Sequence, residues 1–137
     1  MKRKATAVWK GSGKEGSGVV STQSSVLSKV QYSYKSRFEE GTGTNPEELV
    51  AAAHAGCYAM KSSFVLGEAG FKPEELTVEC DINFENGTVT GSHLMLKARV
   101  PGIDKDKFQA CAEDAKKNCP ISKMLSGIPI TLEASLI

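Results

Sequence analysis

One stretch narrows the possible folds more than any other. Between residues 44 and 67 the chain carries a complete helix signal: Thr44 or Asn45 can cap, Pro46 suits the first helical position, and Glu47 or Glu48 completes a capping box. Leu49, Ala53, Gly56, Met60 and Phe64 then recur at steps of three and four. Such a stripe, with its small residues, lets another backbone approach closely and predicts a long central helix packed on more than one side.

The segments around this helix are patterned for strands. Ala5, Ala7 and Trp9 alternate, a second strand begins at Val19 and Val20, and Val30, Tyr32 and Tyr34 alternate again, which predicts a small antiparallel meander. The intervening Gly11-Ser12-Gly13-Lys14-Glu15 lacks the Lys-Ser/Thr ending of a phosphate loop and reads as a hairpin turn. Beyond the helix, Val78, Cys80, Ile82 and Phe84 lead to Asn86-Gly87, the dipeptide of type I′ turns, and Leu94, Leu96, Ala98 and Val100 follow. A second helix begins near Asp104, carries Phe108, Cys111, Ala112, Ala115 and Cys119 on one stripe, and ends or kinks at Pro120. The last strand runs through Ile128, Ile130, Leu132, Ala134 and Leu136. This order predicts an α+β fold, with antiparallel sheets around the central helix, in one domain spanning residues 1–137.

Seventeen Lys and Arg stand against 16 Asp and Glu without long blocks of either sign, so no footprint for nucleic acid is present. Ala5 to Trp9 is too short and mixed for a signal-peptide core, and no run approaches transmembrane length, so the expected location is the cytoplasm, away from membranes. Thiols there stay reduced, and the four cysteines, at 57, 80, 111 and 119, form no C-x-x-C pair of a zinc or thioredoxin-type site.

Taken singly, the chemically interesting residues each have an ordinary reading. Cys57 in mid-helix is normally a small core hydrophobe, and the helix dipole fades within the first turn, so a reactive thiolate there needs a cation from elsewhere. Arg37 alone is a surface charge, Glu47 alone a helix cap, and Cys119, at a helix end before Pro120, suits core and function equally. Cys80 and Cys111 fall on apolar stripes and read as core. His54 lies one helical turn before Cys57 and could pair with it, although packing or a local hydrogen bond is preferred.

Taken together, the blocks Arg37-Phe38-Glu39, Gly43-Thr44-Asn45-Pro46-Glu47-Glu48-Leu49, Ala51-Ala52-Ala53-His54-Ala55-Gly56-Cys57 and Asn118-Cys119-Pro120-Ile121-Ser122-Lys123 resemble the signature of the OsmC/Ohr family, osmotically inducible and organic hydroperoxide resistance proteins. The Ala-Ala-His-Ala stretch is nearer the OsmC branch. The resemblance implies a thiol-dependent peroxidase acting on organic hydroperoxides, with Cys57 as attacking thiol, Cys119 as resolving thiol, and Arg37 and Glu47 positioning and ionising the centre. It also implies an intertwined homodimer with two interface sites, no bound cofactor, and an external dithiol or lipoylated protein as reductant. Organic hydroperoxides are expected to be preferred over hydrogen peroxide, because apolar helix stripes should line the site. Ten residues of helix rise about 15 Å, beyond a glutamate side chain. If Glu47 and Cys57 share one site, as the resemblance implies, Glu47 with Arg37 is therefore expected to serve the Cys57 of the partner chain. The alternative is that the chain path returns Arg37 to its own Cys57 and Glu47 is a helix cap.

Two other classes compete. A Cys–His hydrolase needs His54 as the base for Cys57. A non-enzymatic alternative is a small-molecule-binding stress protein, or a metal site built from His54, Cys57 and Cys119.

Overall fold

The computed structural model describes residues 1–137 throughout, and the fold divides into two compact units, Met1–Leu49 and Val50–Ile137. In the first, β1 (Ala5–Lys10), β2 (Ser17–Thr22) and β3 (Val30–Tyr32) form an antiparallel meander in that order. Gly18 pairs with Trp9 on one side and Tyr32 on the other, and a Cβ there would collide with both rings. Glycine at this position lets the two aromatics close to 5.3 Å over the middle strand.

The alternation of Val30, Tyr32 and Tyr34 overstates the third strand. It stops at Tyr32, and Tyr34 opens a short helix, α1 (Tyr34–Phe38). Ser33 and Ser36 exchange side-chain to backbone hydrogen bonds across the first turn, a capping box that turns the chain out of the sheet and places Arg37 on the helix.

The central helix, α2 (Pro46–Glu68), starts where its signal places it. Asn45 Oδ1 accepts from the backbone N–H of Glu48 at 2.8 Å, and Thr44 Oγ1 donates to the Glu48 carboxylate at 2.7 Å. Its buried face is His54, Tyr58, Ser62, Val65 and Leu66. The stripe of Ala53, Gly56, Met60 and Phe64 is instead exposed, with Met60 at 65% and Phe64 at 63%. The expected packing on this side is therefore not supplied by the chain itself. By length and composition α2 is also long and apolar enough to cross a membrane, contrary to the expectation that no run reaches that size. Its buried face, however, carries imidazole and hydroxyl groups hydrogen-bonded into the protein core, which identifies a core helix.

In the second unit, β4 (Glu75–Glu85) and β5 (Thr88–Arg99) form the expected hairpin. Asn86 and Gly87 both take positive φ, 50° and 75°, as a type I′ turn requires. The chain then passes through α3 (Lys105–Asn118) and α4 (Pro120–Met124) before β6 (Ile130–Leu136) pairs parallel to β5. The second sheet is thus mixed, a pairing that strand patterns do not encode; the helical crossover between the two strands makes it possible. Leu94, Leu96 and Ala98 of β5 pack with Tyr58, Leu66, Phe108, Ala112 and Ala115 in the core.

Tyr58 is fully buried, and its hydroxyl donates to the Ala112 carbonyl at 3.0 Å, joining α2 to α3. Burial holds this phenol far above its ordinary pKa, so it stays a donor at every working pH. Tyr58→Phe should lower the unfolding free energy by about 1 kcal/mol in urea titrations, with an unchanged denaturant slope. An equal or higher stability would show that the bond contributes nothing net.

Candidate functional site

Cys119 lies at the junction of α3 and α4, ending one helix and preceding Pro120 at the start of the next. Its backbone is extended there (φ −60°, ψ 126°), and its side chain is fully buried. From this position Sγ–H donates to Cys57 Sγ at 3.0 Å. Two thiols 62 residues apart in sequence thus meet at near contact, with both sulfurs unoxidised. Cys57 is only partly buried and faces a groove of about 540 Å³ lined by Gly56, Met60, Lys61, Phe64, Pro120 and Lys123. The groove is apolar along its walls and basic at two points.

Burial pushes the Cys57 thiol up from its ordinary pKa, and the sulfur beside it pushes in the same direction. The backbone N–H of Ile121, two residues beyond Cys119, and the charge of Lys61 pull the other way. Lys61 was legible in principle, since it stands four residues after Cys57 on one helix, where side chains are neighbours. Within this unit the balance is on the side of a protonated thiol, so strong nucleophilicity requires a further cation.

Arg37 and Glu47 form the other expected pair. Nε and Nη2 of Arg37 donate to one Glu47 oxygen, Oε1, at 3.1 and 3.0 Å. The carboxylate is 11% exposed and the guanidinium 40%. Capping of α2 falls to Asn45, which leaves Glu47 free of that duty. Glu47 and Cys57 stand ten residues apart on the continuous helix α2, about 15 Å of axial rise. The structure therefore joins Cys57 to Cys119 in the second unit and Arg37 to Glu47 in the first.

His54 does not pair with Cys57. It is fully buried, with Nδ1 at 2.7 Å from Ser92 Oγ on β5 and Nε2 at 2.8 Å from Ser122 Oγ on α4. Cys80, on the core face of β4, lies 3.3 Å from Ser92 Oγ and 3.9 Å from His54 Nδ1, its own thiol pushed up by burial. Both ring nitrogens are engaged, which removes the base that a Cys–His hydrolase requires. His54 also cannot join Cys57 and Cys119 around a metal in this arrangement, and no group of three or more His, Cys, Asp or Glu side chains is placed to hold an ion. Ser92 was visible in the sequence as a hydroxyl set in the apolar alternation Ser92, Leu94, Leu96, Ala98; its partner was not.

The sequence model of the family described as OsmC-like protein matches residues 39–133. This chain belongs to that family. It is 41% identical over 138 residues to Peroxiredoxin OsmC of Escherichia coli, covering 98% of this chain and 96% of the relative. It is 33% identical over 97 residues to an organic hydroperoxide resistance protein of Xanthomonas axonopodis, covering 67% of each. Among solved structures, the crystal structure of an OsmC like protein from Mycoplasma pneumoniae superposes with a TM-score of 0.78 at 13% identity, over 100% of this chain and 98% of that one. The last likeness concerns the fold alone, and it agrees with the α+β architecture expected of an OsmC-like chain.

Burial alone holds the His54 pKa below its ordinary 6.5. Between 6.5 and the lower folded value the unfolded chain binds a proton that the folded chain refuses, so stability falls as pH drops through that window and levels off below it. His54→Gln should therefore flatten the decline of thermal midpoint as pH falls below 6.5, relative to wild type. Identical slopes in the two proteins would show that His54 is not held neutral by the fold.

Proposed function

We propose that this OsmC-like chain is a thiol-dependent peroxidase that reduces organic hydroperoxides through Cys57 and Cys119. The observation that carries the reading is the 3.0 Å approach of the two sulfurs, beside a groove open to Cys57. The names of the relatives, a peroxiredoxin and an organic hydroperoxide resistance protein, support the same chemistry. In the first step the Cys57 thiolate attacks the distal oxygen of the hydroperoxide. The O–O bond breaks, the alcohol leaves with a proton, and Cys57 becomes a sulfenic acid. The Cys119 thiol then attacks that sulfur, releasing water and leaving a disulfide before further oxidation becomes irreversible. A dithiol reductant, such as a lipoylated protein, restores both thiols by two exchanges. The apolar wall of Met60 and Phe64 favours a hydroperoxide with a hydrocarbon body over hydrogen peroxide.

Cumene or tert-butyl hydroperoxide should be consumed with dithiothreitol or dihydrolipoamide, faster than hydrogen peroxide. Cys57→Ser should abolish turnover, and Cys119→Ser should leave Cys57 carrying added oxygen by mass after one exposure. Absence of turnover with every peroxide, or full activity in Cys57→Ser, would end this reading.

The working site is further assigned to a homodimer in which Arg37 and Glu47 of one chain serve Cys57 of the other. Three features support it: the axial separation of Glu47 from Cys57, the need of Cys57 for another cation, and the exposed stripe of Ala53, Gly56, Met60 and Phe64 on α2. Guanidinium can donate to a thiolate while its fork stays fixed by carboxylate. Cys57→Ser and Glu47→Ala proteins, each poorly active, should recover activity when unfolded together and refolded, because each heterodimer regains one intact site. Confirmed subunit exchange without recovery would show that each chain builds its own site.

A further inference from the structure

His54 and Cys57 are three residues apart on α2, and Ser122 and Cys119 are three residues apart at the start of α4. Two rungs therefore connect the same two segments one turn apart: His54 Nε2 to Ser122 Oγ at 2.8 Å, and Cys57 Sγ to Cys119 Sγ at 3.0 Å. The first rung is fixed at its far side, since His54 Nδ1 is held at 2.7 Å by Ser92 on β5. Its three members are all nearly inaccessible, with His54 at 0%, Ser92 at 2% and Ser122 at 5% exposure.

We propose that His54 is a positioning residue of the dithiol centre, its imidazole bridging Ser92 and Ser122 so that α4 enters in the one register that sets Cys119 against Cys57. The helix α4 has only five residues and cannot hold its own place, since one turn of helix is unstable by itself. The Cys119 backbone before it is extended, a joint that allows the thiol to be carried with α4. A polar bridge of this kind in the core is costlier than apolar packing unless every partner is satisfied, and what it gives in return is directionality. Apolar side chains could fill the same volume but would not dictate which residue of α4 faces α2. His54 touches neither sulfur of the pair, so its action passes through Ser122.

This role rests on the disulfide step of the peroxidase reading, and the test is made without hydroperoxide so that the two can fail separately. Wild type, His54→Ala, His54→Gln and Ser122→Ala proteins are equilibrated with graded mixtures of reduced and oxidised dithiothreitol. The Cys57–Cys119 disulfide is quantified by peptide mapping, and thermal midpoints are measured alongside. His54→Ala should lower the effective concentration of the pair by about tenfold or more, since a misplacement of about 1 Å between reacting groups can cost about a hundredfold. His54→Gln, whose carboxamide can still bond a serine, should recover part of the loss. Ser122→Ala should lose nearly as much as His54→Ala, and the double variant no more than either, because both remove one rung.

Unchanged disulfide equilibria in folded His54→Ala and Ser122→Ala proteins, whatever their thermal midpoints, would overturn the proposal and leave His54 as core packing. So would a wild-type protein that forms no Cys57–Cys119 disulfide at any ratio. If His54→Ala does not fold, Ser122→Ala decides by itself: a loss supports the role and wild-type behaviour overturns it. A protein that shows the loss yet reduces no hydroperoxide keeps the positioning role and refutes the peroxidase.

Discussion

Two sulfur atoms at 3.0 Å, contributed by residues 57 and 119, are the contact around which the second unit is organised. Cysteine is short, so this approach demands that the backbones of α2 and of the α3–α4 junction be held close and in one register. The hydrophobic core brings these elements together without choosing among registers, because apolar contacts tolerate sliding. Directional bonds make the choice. The Tyr58 hydroxyl ties α2 to α3 at Ala112, and His54 ties α2 to α4 and β5. Each lies within one turn of Cys57, so the polar groups that would otherwise weaken the core sit beside the contact whose geometry matters most.

The same arrangement explains why Cys57 is not ionised by its own surroundings. Proximity to Cys119 and partial burial, both useful for forming a disulfide, oppose the thiolate. The Ile121 amide and Lys61 offset this only in part. A resting site of this kind is sheltered from indiscriminate oxidation, since reactivity follows thiolate character. In the proposed dimer the missing cation would be Arg37, already held by the Glu47 carboxylate through two hydrogen bonds.

Much of the fold could be read from local chemistry. The cap of α2, the Asn86-Gly87 hairpin and the Asp104 cap of α3 all form where their residues place them. These signals concern residues within four positions of one another. The misses have longer reach or subtler cues. The Ser33–Ser36 capping box converts an apparent strand residue, Tyr34, into a helix start. The parallel pairing of β5 with β6 is a choice of partner that strand alternation cannot express. For the site, the pairing of Cys57 with Cys119 came from family resemblance, because no spacing rule joins positions 62 apart. The partners of His54 lie 38 and 68 residues away, and only the misplaced polarity of Ser92 hinted that a buried group awaited one.

The exposed stripe on α2 follows from a conflict within one helix. A helix whose inward face carries His54, Tyr58 and Ser62 is fixed in rotation by the hydrogen bonds of the first two and the burial of all three, so it cannot turn Met60 and Phe64 inward. Water contact with those side chains is unfavourable by roughly 25 cal/mol for each Å² of apolar surface. The small residues Ala52, Ala53 and Gly56 lie on the same exposed side, between Glu47 and the Met60–Phe64 end. An antiparallel crossing of two such helices at these residues would cover both stripes and carry Glu47 of each toward Cys57 of the other. The rotation that His54 imposes on α2 would then determine both which residue of α4 meets Cys57 and which face is left for a second chain, so that one buried imidazole sets the geometry on both sides of the reactive sulfur.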